Sequence, residues 1–241
     1  MFKLSIGPYL IQTGQGKLPE LYPEYARRAI LSDEFDLQNA ERTHCFVSVA
    51  RASVWPQLVV AQTFSPSAGG FEPGVLLVQE TETLFIGAGE RPLAYRLGPF
   101  ERLWEDTCDM GFWGWEQHGE VVLMRAELEL AAWDCFGKKL WSTFVEPPWD
   151  CVVKDDRIQL DVMGDKSEFD LAKGPKHPLP WLDASTLLAN FIRSFFRSWR
   201  QTGNSQKNAV TSCWASVIDP PSVIAQFAAP QPSPRSRLSP T

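Results

Sequence analysis

The sequence predicts a mostly β protein: short antiparallel strands running as a meander of repeats, followed by one C-terminal amphipathic helix. Three observations carry this. From Val75 onward, segments of about six residues rich in Val, Leu, Phe and Trp alternate with turn residues, the rhythm of antiparallel strands. Six of the ten Trp lie between Phe100 and Trp149. Residues 84–104 (LFIGAGERPLAYRLGPFERLW) recur as 121–141 (VVLMRAELELAAWDCFGKKLW), with Ala94-Tyr95 on Ala132-Trp133 and Leu103-Trp104 on Leu140-Trp141.

In chain order, residues 1–43 read as an irregular segment. MFKLSIGPYLIQTGQG lacks the apolar core and small-residue cleavage site of a signal peptide. Within LPELYPEYARRAILSDEFDL a helical turn is expected at Glu24–Leu31, its start delayed by Pro19 and Pro23. A β-repeat domain is expected over 44–174. It opens with CFVSVAR (45–51) and QLVVAQTF (57–64), separated from Val75 by the Ser/Pro/Gly-rich loop 65–74. Then follow VLLVQ, TLFIGA, PLAYRL, FERLW, FWGWEQ, EVVLMRA, LELAAWD, KKLWSTFV, WDCVVK, RIQLDVM and SEFDL. His118-Gly119, Phe136-Gly137, Asp155-Asp156 and Gly164-Asp165 supply turn chemistry between them. A weaker third copy, 158–174, sets Phe169-Asp170 on Trp133-Asp134 and Gly174 on Gly137, without the final Leu-Trp. A unit of this size cannot bury its own aromatics, so neighbouring sheets must stack.

After GPKHPLP, Asp183 caps a predicted helix spanning 183–201. Leu187, Leu188, Phe191, Ile192, Phe195, Phe196 and Trp199 form an apolar stripe, and Arg193, Arg197 and Arg200 lie off it. It reads either as a core helix sealing a sheet edge or as a membrane-surface or partner helix. Residues 202–241, rich in Pro and Ser, read as a largely disordered tail.

The motif ending Trp133-Asp134, Gly137-Lys138, Leu140-Trp141 resembles the repeats of quinoprotein-type and WD40-type β-propellers. There the third strand carries an aromatic then Asp, and the fourth begins with Gly and a basic residue before Leu-Trp. Arg96 departs from that pattern, since Asp is usual there. The resemblance covers roughly residues 75–174 and implies a propeller-like array, open or incomplete because only two full copies and one partial copy are counted. It implies little about function, because that architecture hosts enzymes, receptors and scaffolds alike.

Composition narrows the function classes. The 241-residue chain has a net charge of −6, about +4 from Asp183 on and about −10 before it, which disfavours a nucleic-acid binder. No run approaches the length of a transmembrane helix. Five unpatterned Cys (45, 108, 135, 151, 213) point to thiols in a reducing compartment, so a cytoplasmic location is expected. No metal or cofactor motif is expected. Gly87-Ala88-Gly89-Glu90 lacks the rest of a phosphate loop and reads as a hairpin turn. His44-Cys45 are strand neighbours and point to opposite faces.

Two functional readings remain. In an antiparallel meander, alternate turns share an edge of the sheet. That parity gathers Glu90, Asp106, Asp109, Glu127 and Glu146, with Glu105 at the margin, into an acidic face broken only by Arg91, suited to a protein partner with a basic surface. The chain is then a non-catalytic interaction module. The alternative is a glycan-binding protein or glycoside hydrolase, with Trp113, Trp115, Glu116 and His118 as the platform-and-acid cluster and Glu105, Asp106 and Asp109 as further carboxylates.

Overall fold

The computed structural model describes residues 1–38, 42–65 and 72–176, together with the backbone of 224–226. The chain is mostly β, with four sheets and one short helix among these residues. It divides into two compact units, one of Met1–Gly114 with the segment from Ile224, the other of Trp115–Val223.

In the first unit, sheet A has strand order β1-β2-β4-β5-β3, built from β1 (Phe2–Ile6), β2 (Tyr9–Gly16), β3 (Leu31–Phe35), β4 (Thr43–Arg51) and β5 (Leu58–Phe64). The segment 1–43, expected to be irregular, therefore holds a hairpin, a helix and an edge strand. Gly7-Pro8, which interrupts the apolar pattern, is the turn of the β1–β2 hairpin, with Gly7 at φ +55. Helix α1 (Tyr22–Arg28) places Pro23 in its first turn, where the missing N–H costs nothing. It packs Tyr22, Tyr25 and Ala26 over Phe46, Val59 and Ala61 on the outer face of sheet A. The strand β3 pairs with β5 in parallel, the one parallel pairing among the described strands.

Sheet B follows the sequence rhythm: β6 (Gly74–Val78), β7 (Thr83–Ala88), β8 (Arg91–Arg96) and β9 (Glu101–Glu105) in consecutive order. A further strand, β17 (Ile224–Gln226), lies outside β6. Those three residues fall within the segment 202–241, read from sequence as largely disordered. The inner faces of A and B form one core, in which Ile11, Val47, Val49, Leu58 and Val60 meet Val75, Leu77, Leu84, Ile86 and Leu93. β4 and β5 are buried on both faces because α1 covers the side away from sheet B.

In the second unit, sheet C joins β10 (Phe112–His118, its first residues in the first unit), β11 (Val121–Ala126), β12 (Glu129–Asp134) and β13 (Lys139–Phe144). Sheet D joins β14 (Trp149–Lys154), β15 (Arg157–Val162) and β16 (Asp165–Asp170).

The internal repeat is legible in hydrogen bonds. Between β8 and β9, pairing moves from Ala94↔Trp104 to Tyr95↔Arg102 and skips Leu103. Between β12 and β13 it moves from Ala132↔Trp141 to Trp133↔Lys139 and skips Leu140. The Leu of each Leu-Trp pair is thus the extra residue of a β-bulge. Leu97, Cys135 and Leu171, each just after the third strand, donate their N–H groups to Glu82, Glu120 and Asp156 at 2.8, 3.1 and 2.9 Å. In the later copies the preceding Asp closes the turn. Asp134 Oδ1 accepts from the N–H groups of Phe136 and Lys138, and Asp170 Oδ1 from those of Ala172 and Lys173. Arg96 cannot accept such bonds, and that turn is one residue longer, with Phe100 at φ +55. The region predicted as a helix, 183–201, and the rest of the tail lie outside the described residues. No helix among the described residues is long and apolar enough to cross a membrane.

Candidate functional site

The loops that carry the predicted acidic face form at the end of sheet B where β7 turns into β8. Gly89, at φ +58, allows the tight turn, and its Cα side lies against Phe64, whose Cβ would sit 2.7 Å from any added Cβ. Gly87-Ala88-Gly89-Glu90 is thus a hairpin, with Ala88 paired to Arg91. The segment after β9 returns beside this turn. Asp106, Cys108 and Phe112 donate their N–H groups to the carbonyls of Pro92, Glu90 and Gly89 at 3.0, 3.0 and 2.7 Å. Cys108 is buried under the turn, with Sγ 3.5 Å from Gly89 O. These bonds bring Glu90, Glu105, Asp106 and Asp109 to one end of sheet B. Glu90, Glu105 and Asp109 are exposed and Asp106 is half-buried.

In the second unit, Glu127 and Glu146 share one end of sheet C. Val145 N–H donates to Leu128 O at 3.1 Å, and Trp149 Nε1–H donates to Glu127 O at 3.0 Å. Both Glu residues are half-buried.

Arg91 does not stand alone on the acidic end. Its guanidinium bonds Asp36 and Glu105, each at 3.0 Å, and lies 4.8 Å from the centre of the Phe35 ring. Arg102 reaches the same ring at 5.4 Å, with Asp33 at 3.3 Å and Glu105 at 3.7 Å. Tyr95 donates its hydroxyl to Asp33 at 2.9 Å. Burial, and then the Asp33 carboxylate, push the Tyr95 phenol far above its ordinary value, so it stays a donor. Sequence reading missed Asp33, Phe35, Asp36 and Arg102. Asp33, Phe35 and Asp36 reach this end through the parallel β3–β5 pairing, while Arg102 lies on β9 of sheet B, and no spacing in the sequence signals a contact between residues 55 to 69 positions apart. The network carries Asp33, Asp36 and Glu105 against Arg91 and Arg102. Glu90, Asp106 and Asp109 add negative charge beside it.

The alternative cluster is divided between two faces of β10. Trp115 is 1% exposed and packs edge-on against Trp133, with ring centres 5.5 Å apart, so it is core rather than a sugar platform. Trp113 follows the same strand parity. Glu116 and His118 lie on the other side, 3.1 Å apart. Glu116 also pairs with Arg125 at 2.8 Å, and Arg125 continues to Cys151 O at 2.8 Å and Asp150 at 3.4 Å. Burial alone would raise the Glu116 carboxyl. The His118 hydrogen bond and the Arg125 charge outweigh it and hold the group below its ordinary value. A carboxylate held ionised this way is a poor general acid. An open groove of about 670 Å³ runs over Trp149, Asp150, Val152, Asp161, Met163 and Lys166 of sheet D and its connections, and none of Glu116, His118 or Arg125 lines it.

The His44-Cys45 pair is separated by the pleat. Cys45 belongs to the core, its thiol pushed up to about 12 by burial, while His44 Nε2 lies 3.4 Å from Leu37 O. Cys108, Cys135 and Cys151 are likewise buried thiols. Among the described residues, no group of three or more His, Cys, Asp or Glu is gathered in metal-binding geometry. No protein-family model matches the chain, and no curated protein matches it.

Proposed function

We propose that the chain is a propeller-like β-repeat interaction module, non-catalytic, that takes a basic protein partner on the acidic loop end of sheet B. The observation that supports this is the set of backbone bonds from 106–112 to 89–92, which brings Glu90, Asp106 and Asp109 to one end of sheet B beside Glu105. Arg91, the one cation in the predicted face, is engaged by Asp36 and Glu105, so its charge offsets carboxylates of that network. Carboxylates held on a rigid edge attract a cationic surface over roughly one Debye length, about 8 Å at physiological salt. Buried thiols without disulfides support a reducing, cytoplasmic setting.

The probe is a fluorescein-labelled decapeptide alternating Arg and Gly, followed by anisotropy. The unmodified chain should bind it with an affinity that falls as salt rises. Asp106→Lys together with Asp109→Lys should weaken binding about tenfold and flatten the salt dependence, since rim charges act through long-range attraction. Equal binding by both proteins at low salt would remove the acidic end as the site.

A further inference from the structure

We propose that one end of sheet A, built from the β4–β5 connection and the last turn of α1, is a membrane-surface contact for bilayers that carry anionic headgroups. Residues 52–57 join Arg51 of β4 to Leu58 of β5. Gln57 shapes this connection. Its Oε1 accepts the Arg51 N–H at 2.6 Å, and its carbonyl accepts the N–H groups of Ile30 and Leu31 at 2.8 and 3.0 Å. Ile30, just past α1, is thereby fixed beside the connection. Ala52 sits at φ +47 and the Trp55 N–H donates to Ser53 Oγ at 3.1 Å, so the chain turns tightly here. The result is an aliphatic tip, with Val54 92% exposed and Ile30 66% exposed. Single apolar residues at a surface need no explanation. Two of them on hydrogen-bonded neighbouring segments, with Trp55 following Val54, form a patch of the kind that marks a contact surface.

The surroundings of the tip favour lipid as its occupant. Trp55 is half-buried and edge-on to Tyr25, with ring centres 6.0 Å apart, and the Arg28 guanidinium lies 3.9 Å from the Trp55 ring centre. Trp and Arg both join an apolar body to a polar head, which suits them to the headgroup layer. Arg27 and Arg28 share the single carboxylate of Glu24, at 2.7 and 3.0 Å, so α1 keeps a surplus of one positive charge. Arg51 is balanced by Glu82 at 3.5 Å. The chain as a whole is acidic, at −6, and its acidic loop end is repelled by anionic lipid. That end lies at the opposite end of sheet A, where Gly89 packs against Phe64 and Arg91 meets Asp36. The strand β5, Leu58–Phe64, runs between the two ends, and at about 3.3 Å per residue it separates them by about 20 Å. That is more than twice the Debye length of about 8 Å at physiological salt, so the repulsion is screened while the arginines act at contact. A bilayer that receives the tip leaves the acidic end facing away from it.

The test is co-sedimentation of the full chain with vesicles, either of phosphatidylcholine alone or of phosphatidylcholine and phosphatidylserine at about 7:3. The mixed vesicles should pellet about fivefold more of the chain at low salt, and that excess should shrink as salt rises. Val54→Asp together with Ile30→Asp should lower pelleting on the mixed vesicles about tenfold, since the apolar tip is what enters the bilayer. Arg27→Gln together with Arg28→Gln should remove the preference for the anionic vesicles. These four side chains are exposed, so circular dichroism and the urea midpoint should match those of the unmodified chain. A second readout changes no charge. Brominated phosphatidylcholine in the mixed vesicles should quench part of the Trp emission, and that part should be missing in Trp55→Phe. Absence of pelleting on the mixed vesicles, or pelleting that Val54→Asp with Ile30→Asp leaves unchanged, overturns the proposal. So does concentration-dependent self-association without lipid that the same pair of substitutions abolishes, because a second copy then covers the tip.

Discussion

Trp133 shows what a single residue contributes to this fold. It sits on the third strand of sheet C, 1% exposed, edge-on to Trp115, with Lys139 Nζ 5.2 Å from its ring centre. Truncation to Ala should cost about 3–5 kcal/mol in urea unfolding, the range for large core aromatics. A loss below about 1 kcal/mol would contradict the packing described. Trp141, on the fourth strand of the same sheet, is half-buried but tied down differently. Its Nε1–H donates to Leu171 O at 2.8 Å, its ring meets Phe169 edge-on, and Gly174 lies so close that an added Cβ would come within 2.5 Å of the ring. Gly89 offers a sharper test of the acidic end. Gly89→Ala would place a Cβ 2.7 Å from Phe64 Cβ at a backbone φ of +58. The loss expected is about 1–3 kcal/mol, together with weaker binding of the basic decapeptide, because the turn that presents Glu90 must shift.

Among the elements, the third-to-fourth strand connection is the recurring device. Asp134 closes it in sheet C by accepting two backbone N–H groups, at 2.9 and 2.8 Å. Asp134→Ala should cost about 1–2 kcal/mol, the worth of two net hydrogen bonds, and Asp134→Asn should recover part of that in thermal unfolding. Equal stability of all three proteins would show that the bulge and not the Asp sets the turn. This device explains why β6 to β16 were readable in sequence. Alternating apolar residues, turn residues and the paired Leu-Trp all mark local structure, and the observed strands fall on the predicted segments. Residues 1–43 were not readable in the same way. Gly7-Pro8 breaks the pattern in the middle of a hairpin, and β3 (LSDEF) carries Asp33 and Glu34 where a strand signal would need apolar residues. Those charges are tolerated because Asp33 meets Tyr95 and Arg102, and Glu34 accepts from Tyr22 at 2.6 Å. The acidic end was half legible for the same reason: strand parity is local information, whereas the Asp33–Asp36 contribution depends on a parallel pairing across the chain.

On the scale of the whole molecule, the titrating groups set the pH range over which the fold is stable, and the sign differs at the two ends. Glu24, Glu116 and Asp170 are held below their ordinary values, Glu24 by Arg27 and Arg28, Glu116 by His118 and Arg125 against its burial, and Asp170 mainly by the Lys173 backbone N–H. A depressed carboxyl contributes stability that is fully present above its unfolded value, here 4.5 for Glu116, and is lost as pH falls through the folded value. Glu24 and Asp170 are exposed and contribute little, so Glu116 dominates this edge. Glu72 runs the other way: burial raises its carboxyl, and acid partly relieves that cost. At the alkaline end, burial pushes Cys45, Cys151 and Tyr9 up to about 12, with Glu82 adding to the effect at Tyr9. Raised groups contribute stability that is fully present below the unfolded values, 9.0 for the thiols and 10.0 for the phenol, and is lost as pH rises toward 12. The urea midpoint should therefore be nearly flat between about pH 5 and 9 and decline on both sides. Glu116→Gln should lower the plateau by about 2 kcal/mol, the worth of charge-assisted bonds to His118 and Arg125, and should make the acid limb shallower. Cys45→Ala should make the alkaline limb shallower and leave the acid limb unchanged. An alkaline limb identical in Cys45→Ala and the unmodified chain would show that the buried thiol does not set that edge, and an acid limb unaffected by Glu116→Gln would remove the Arg125 pair as its cause.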